Sequence, residues 1–199
     1  MDRVADDRAA IASLIADWVV FRDSGDWERL RAIWAANGTM NATWFRGSAD
    51  EFVAHGRRAF GAAVPAVLHM LGGISVDVCG DRAVSQAKTT ISARADVHDT
   101  PCEVTCWGRF YDLWQKDDGA WKLAERAVIY ERDRLDALNG ARFPPLDAAV
   151  LELFPPGYRH LAYVQRASGA NVIAGLPGLT GPAVEELYAT GRRWLDGCG

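Results

Sequence analysis

The sequence predicts an α+β fold. Segments with helical spacing crowd the first third of the chain, and segments with strand composition then follow one another from about residue 67 to residue 132. A parallel βαβ protein would alternate the two. The chain has 199 residues, 49% hydrophobic and 24% charged, with a formal net charge of −4. That balance excludes disorder, and the length is enough to bury a core without disulfide or metal staples.

Residues 4–22 read as the first helix, because Ile11, Leu14, Ile15, Trp18 and Val19 recur at the spacing of one helical face. Ser24-Gly25 ends it. Asp26 is placed to cap a second helix over 27–36, with Leu30, Ile33 and Trp34 as its apolar side. Asn37-Gly38 reads as a turn, and residues 39–45 have strand composition. Ser48 is placed to cap a third helix over 49–62, with Phe52, Val53 and Phe60 toward the core.

The strand region comes next. Residues 67–78 are rich in apolar and β-branched side chains, Gly80-Asp81 is a turn signal, and residues 83–97 alternate. His98-Asp99-Thr100-Pro101 breaks the pattern before residues 103–115. Asp117-Asp118-Gly119 is a hairpin signal that leads into the strand over 121–132. The reading divides the chain at about residue 134, with 135–199 as an extension. That extension carries Pro144-Pro145 and Pro155-Pro156-Gly157, short helices over 146–153 and 159–166, a glycine-rich loop over 168–181, and a last helix from Pro182. It is too apolar for a free linker. It is expected to fold back over the preceding α+β body or across a subunit interface, burying Tyr158, Tyr163 and Trp194.

The mild acidity argues against a nucleic-acid surface. No run of 18 apolar residues exists to span a membrane, and the charged start MDRVADDRAA lacks a secretory segment. A cytoplasmic protein is expected, with its four cysteines, at 79, 102, 106 and 198, as thiols. Cys102 and Cys106 lie four residues apart in a strand pattern, roughly 13 Å, too far to share one ion. No metal or cofactor site is expected.

Three ionisable residues fall on apolar faces. Asp23 continues the Ile15–Val19 stripe at a spacing of four; the alternative is a loop residue just past the helix end. His69 shares a strand face with Val67 and Leu71; the alternative is a core histidine bonded to a carbonyl. Arg126 shares a face with Ala124, Val128 and Tyr130; the alternative is a charge that pairs with an acid or snorkels to the rim. Taken together, the three suggest an acid–base site. An Asp–His contact would offset the desolvation of both groups and make His69 a general base, and Arg126 would hold an anionic or departing group. His55, His98 and His160 lack metal-ligand spacing, and no Gly-x-Ser-x-Gly elbow occurs.

The stretch from Ile11 through Asp23-Ser-Gly-Asp-Trp to Trp34, with Gly108-Arg-Phe-Tyr-Asp-Leu-Trp and Asp118-Gly-Ala-Trp-Lys-Leu-Ala-Glu-Arg126, resembles the SnoaL-like proteins. These belong to the nuclear-transport-factor-two-like, ketosteroid-isomerase-like superfamily. The resemblance runs over about residues 5–134 and is nearest to the scytalone dehydratase and hexachlorocyclohexane dehydrochlorinase branch. Those lyases carry an Asp at the end of the first helix and a His on the first long strand, positions held here by Asp23 and His69. The dehydrochlorinase's arginine, five residues after a strand tryptophan, is matched by Arg126 after Trp121.

The resemblance implies a cone-shaped curved antiparallel sheet, wrapped by three N-terminal helices and followed here by the C-terminal helical extension. It implies an apolar pocket lined by Trp18, Val19, Val67, Cys106, Phe110, Val128 and Tyr130. Trp18 and Met40 stand where the dehydrochlorinase lines its pocket differently. The chain departs from the dehydratase in having no tyrosine next to Asp23 and no second placeable histidine. The implied activity is a cofactor-independent lyase of dehydratase or dehydrohalogenase type acting on a small apolar or polycyclic substrate, in a homo-oligomer of two or three copies. An isomerase or cyclase using the same dyad, or a non-catalytic binding or oxygenase-subunit-like module, stays open.

Overall fold

The computed structural model describes residues 3–60 and 67–197. Helix α1 (Arg3–Ser24) buries Ile11, Ile15, Trp18 and Phe21, the stripe its spacing dictates. The chain leaves it through Gly25, whose φ of +77° is natural to glycine. Asp26 caps α2 (Trp27–Ile33) by accepting the Arg29 N–H at 3.2 Å. Strands β1 (Trp34–Ala42) and β2 (Phe45–Ser48) form a small hairpin. Ser48 and Glu51 then start α3 (Ala49–Ala59) with a full capping box. A meander of four long strands follows: β3 (Val67–Cys79), β4 (Arg82–Val97), β5 (Thr100–Asp117) and β6 (Ala120–Ala137). Helices α4 (Ala148–Leu151), α5 (Arg159–Ala167) and α6 (Pro182–Asp196) make up the tail.

The six strands form one curled, unclosed sheet in the order β2-β1-β6-β5-β4-β3. The α+β class and the cone match the expectation, and four details differ. First, β1 pairs with β6 in parallel, so the sheet is not wholly antiparallel. Second, the second helix stops at Ile33, and Asn37-Gly38 lies within β1, where the register with β6 shifts between Trp34 and Thr39. Burial of Trp34 and Ala35 against the sheet overrides the local turn preference. Third, Phe60 is half exposed, its ring edge-on to Trp27 at 5.5 Å instead of in the core. Fourth, Cys79 is disulfide-bonded, while Cys102 and Cys106 are buried free thiols. A prior from compartment does not determine which sulfurs come within bonding reach. Residues 61 and 62, expected at the end of the third helix, and Cys198 lie outside the described residues.

Two apolar layers result. The inner one fills the cone between α1, α2, α3 and the concave sheet face, and Trp18, Phe52, Phe110 and Trp114 are among its sealed side chains. The outer one lies on the convex face, where Val84, Tyr111, Leu113 and Ile129 are covered by Val184, Leu187, Tyr188 and Trp194 of α6. In the tail Tyr158 and Tyr163 are buried and Trp194 is half-buried. Among the described residues no helix is long and apolar enough to cross a membrane, and no group of three metal-binding side chains occurs.

Candidate active site

Packing of α1 on β3 brings the end of the helix to the start of the strand. There one Asp23 oxygen accepts the His69 backbone N–H at 2.7 Å, and the other meets His69 Nδ1 at 2.7 Å. A carboxylate can only accept, so this contact puts the ring proton on Nδ1 and leaves the lone pair on Nε2. The pair is close to dry, the His69 side chain 9% and the Asp23 side chain 16% exposed. Trp18 stands edge-on to the ring at 5.8 Å and limits its swing. Alternation along β3 turns Leu68 and Met70 outward and His69 inward.

Across the curl of the sheet, Tyr130 on β6 is almost fully buried. Its hydroxyl oxygen accepts the Thr43 backbone N–H at 3.0 Å, which leaves its own proton free to donate. Burial pushes the phenol's pKa well above its ordinary value, so the group is a neutral donor. The Thr43 carbonyl accepts the Ile173 N–H at 2.7 Å, which ties this corner to the tail.

Arg126 sits deeper. Its Nε and Nη2 donate to the two oxygens of Asp112 at 2.7 and 2.8 Å, both side chains fully buried. Its guanidinium carbon lies 4.3 Å from the Trp18 ring centre and 4.1 Å from that of Phe110. Asp112 is approached further by Ser85, which accepts the Trp114 indole N–H at 2.8 Å. Arg126 does not line the cavity. Direct grip on a substrate anion does not fit this placement. Of its two readings, the charge paired with an acid is the one the fold adopts, since an unpaired buried guanidinium is too costly.

The cavity above this layer has a volume of about 290 Å³, at the small end for ligand sites. His69 and six of the eight expected lining residues reach it: Trp18, Met40, Val67, Phe110, Val128 and Tyr130. Val19 and Cys106 do not. Val19 packs in the core, and the Cys106 thiol points to the Gly157 carbonyl at 3.6 Å, its pKa pushed up by burial. Asp23 reaches the site only through His69.

Three further groups line the cavity that sequence reasoning passed over. Arg22 continues the Ile15–Trp18 face of α1, and His55 follows Phe52 on α3, stacked 5.0 Å from Trp44. From the tail, α5 contributes Leu161, Val164 and Gln165, with Ser168 just beyond its end. Spacings of three, four and seven on an apolar stripe are the signal that exposes Asp23, and they would have exposed each of these. Among the described residues the buried Gln165 carbonyl oxygen has no hydrogen-bond partner.

A curled sheet wrapped by helices around one ligand-sized cavity defines the nuclear-transport-factor-two-like class. Within it, the chain belongs to the SnoaL-like domain family, whose model matches residues 3–127. It is 31% identical to pea pathogenicity protein 2 of Fusarium vanettenii, over 98% of this chain and 88% of that one. The fold is similar to that of a protein assigned as a scytalone dehydratase from Novosphingobium aromaticivorans, with a TM-score of 0.57 and 17% identity over 73% of this chain and 96% of that one. It is also similar to a type 2 hexachlorocyclohexane dehydrochlorinase, with a TM-score of 0.56 and 17% identity over 72% of this chain and 96% of that one. At such identity the likeness to these two is one of fold.

Proposed function

We propose that the chain is a cofactor-independent lyase of dehydratase or dehydrohalogenase type, acting on a small apolar or polycyclic molecule held in the cone. The observation that carries this reading is the double acceptance of His69 by Asp23, which leaves a ring lone pair on a residue that lines the cavity. In the step envisaged, Nε2 takes a proton from a substrate carbon. The C–H electron pair becomes the new double bond, and the neighbouring group departs with its own bonding pair. Tyr130 donates a hydrogen bond to that departing group. Arg126 is a positioning residue that acts through the Trp18 and Phe110 rings stacked on it. Aromatic and aliphatic walls exclude water, which strengthens each of these interactions.

The fold alone does not choose between elimination and a double-bond shift or cyclisation, since the same base serves all three. The test is turnover by His69→Ala and Asp23→Asn. Each variant is expected to lose about 10²–10⁴-fold in kcat, the usual contribution of general acid–base catalysis. Rates within a few-fold of wild type in both would overturn the base and leave the cavity as a binding module.

A further inference from the structure

Arg22 is a cation that the proposed chemistry does not use. It lines the cavity, yet among the described residues it makes no hydrogen bond and no ion pair. Its guanidinium carbon lies 5.5 Å from the centre of the Trp27 ring. Four other half-buried or buried arginines are served by oxygen: Arg31 by Asp50, Arg82 by the Trp194 carbonyl, Arg109 by Glu131 and Arg126 by Asp112; among the described residues the Arg159 Nε is not, but Arg159 does not line the cavity. The neighbouring carboxylate of Asp23 makes no hydrogen bond or ion pair with Arg22; its two oxygens meet the His69 N–H and Nδ1. A guanidinium has five donors in a planar fork suited to a carboxylate.

The position is built. Trp27, under Arg22, lies against Gly56 of α3, where a Cβ would come within 2.7 Å of the ring. That close approach packs α2 on α3, and Arg22 at the end of α1 lies over the Trp27 ring. Removal from water pushes the Arg22 pKa below its ordinary value, with Asp23 opposing the shift. Among the described residues no oxygen answers the guanidinium, which is left to the cavity and the Trp27 ring. The rest of the lining is mostly apolar and includes the aromatic rings of Trp18, Trp44, Phe52, Phe110 and Tyr130.

We infer that Arg22 is an anion seat, and that the ligand of this cavity is an aromatic or polycyclic carboxylate whose charged end lies on Arg22 beside the Asp23–His69 pair. This deepens the lyase reading and rests on it for the reaction, not for the binding. A carboxylate held there would place its adjoining carbons on the side of the cavity where His69 stands. Arg22 is a specificity residue in this account, because it touches the substrate without handling the proton.

The experiment is equilibrium binding, followed by tryptophan fluorescence and calorimetry, of 2-naphthoate and its neutral isostere 2-naphthamide. Wild type should favour the carboxylate by about ten-fold or more, the usual worth of a hydrogen-bonded charge pair. Arg22→Met should bind both probes equally, with naphthamide unchanged, and should melt no lower than wild type, since it removes a charge that has no ion-pair partner among the described residues. Arg22→Lys should retain part of the preference. His69→Ala should keep the preference even where it loses turnover, so the anion seat and the base fail separately. Weak or absent naphthoate binding in wild type, no preference there, or a preference that survives in Arg22→Met would each overturn the anion seat.

Discussion

At the residue scale, the deepest charges in the cone are Arg126 and Asp112, bidentate and without exposed surface. Removing one partner leaves the other uncompensated in a dry site. Asp112→Ala is therefore expected to cost about 3–5 kcal/mol of folding stability, while Asp112→Leu with Arg126→Met should recover most of it. Urea unfolding of the single and double variants measures both, and a loss under 1 kcal/mol for Asp112→Ala would show that the pair is not the anchor claimed. The face of Arg126 was legible from strand parity, but its partner was not. A plain hairpin closed at Asp117↔Ala120 would set Asp112 opposite Glu125. The register shift between Leu113 and Trp114 leaves Ala124 unopposed and moves Asp112 onto Arg126. The same bulge turns Ala124 toward α6, away from the face it was expected to share. Asp23 and His69 needed only spacing to be found. Arg22, His55 and Gln165 obey the same spacing, but a reading that weighs only ionisable residues on apolar faces does not single them out.

At the scale of elements, α6 explains an outward-facing tyrosine. Tyr111 is on the convex face of β5, its ring 5.5 Å from that of Tyr188. A side chain on Gly191 of α6 would fall onto the Tyr111 hydroxyl. Burial, reinforced by Tyr188, pushes the Tyr111 pKa up to about 12. An unfolded tyrosine ionises near pH 10. Its folded value is the higher one, so its contribution is fully present below about pH 10 and is lost as pH rises toward 12. Denaturation followed across that window should show stability falling in wild type and falling less in Tyr111→Phe; identical profiles would contradict the packing of α6 described here. Helix and strand periods were legible for these elements. The start of β1 at Trp34 and its parallel pairing with β6 were not, because burial of Trp34 and Ala35 outweighs the Asn37-Gly38 turn signal.

At the scale of the molecule, the tail completes what the cone begins. Asp133 on β6 holds the His160 ring and the Leu161 N–H at 2.9 and 2.8 Å, and His98 holds Tyr163 at 2.8 Å, so α5 is fixed over the cavity. The tail backbone returns to the site through Ile173 on Thr43 and through Pro177, whose carbonyl accepts the Tyr130 N–H at 2.8 Å. The family match ends at residue 127, so the tail residues facing the cavity lie beyond the matched domain. The central claim is that this enclosure holds a histidine whose lone pair is free for a substrate proton. The most direct measurement is the nitrogen-15 spectrum of the imidazole rings, taken where His69 is neutral. Wild-type His69 is expected in the Nδ1–H form, with an unprotonated Nε2, and Asp23→Asn is expected to lose that bias. A His69 protonated at Nε2 in wild type, or a ring that Asp23→Asn leaves unchanged, would contradict it.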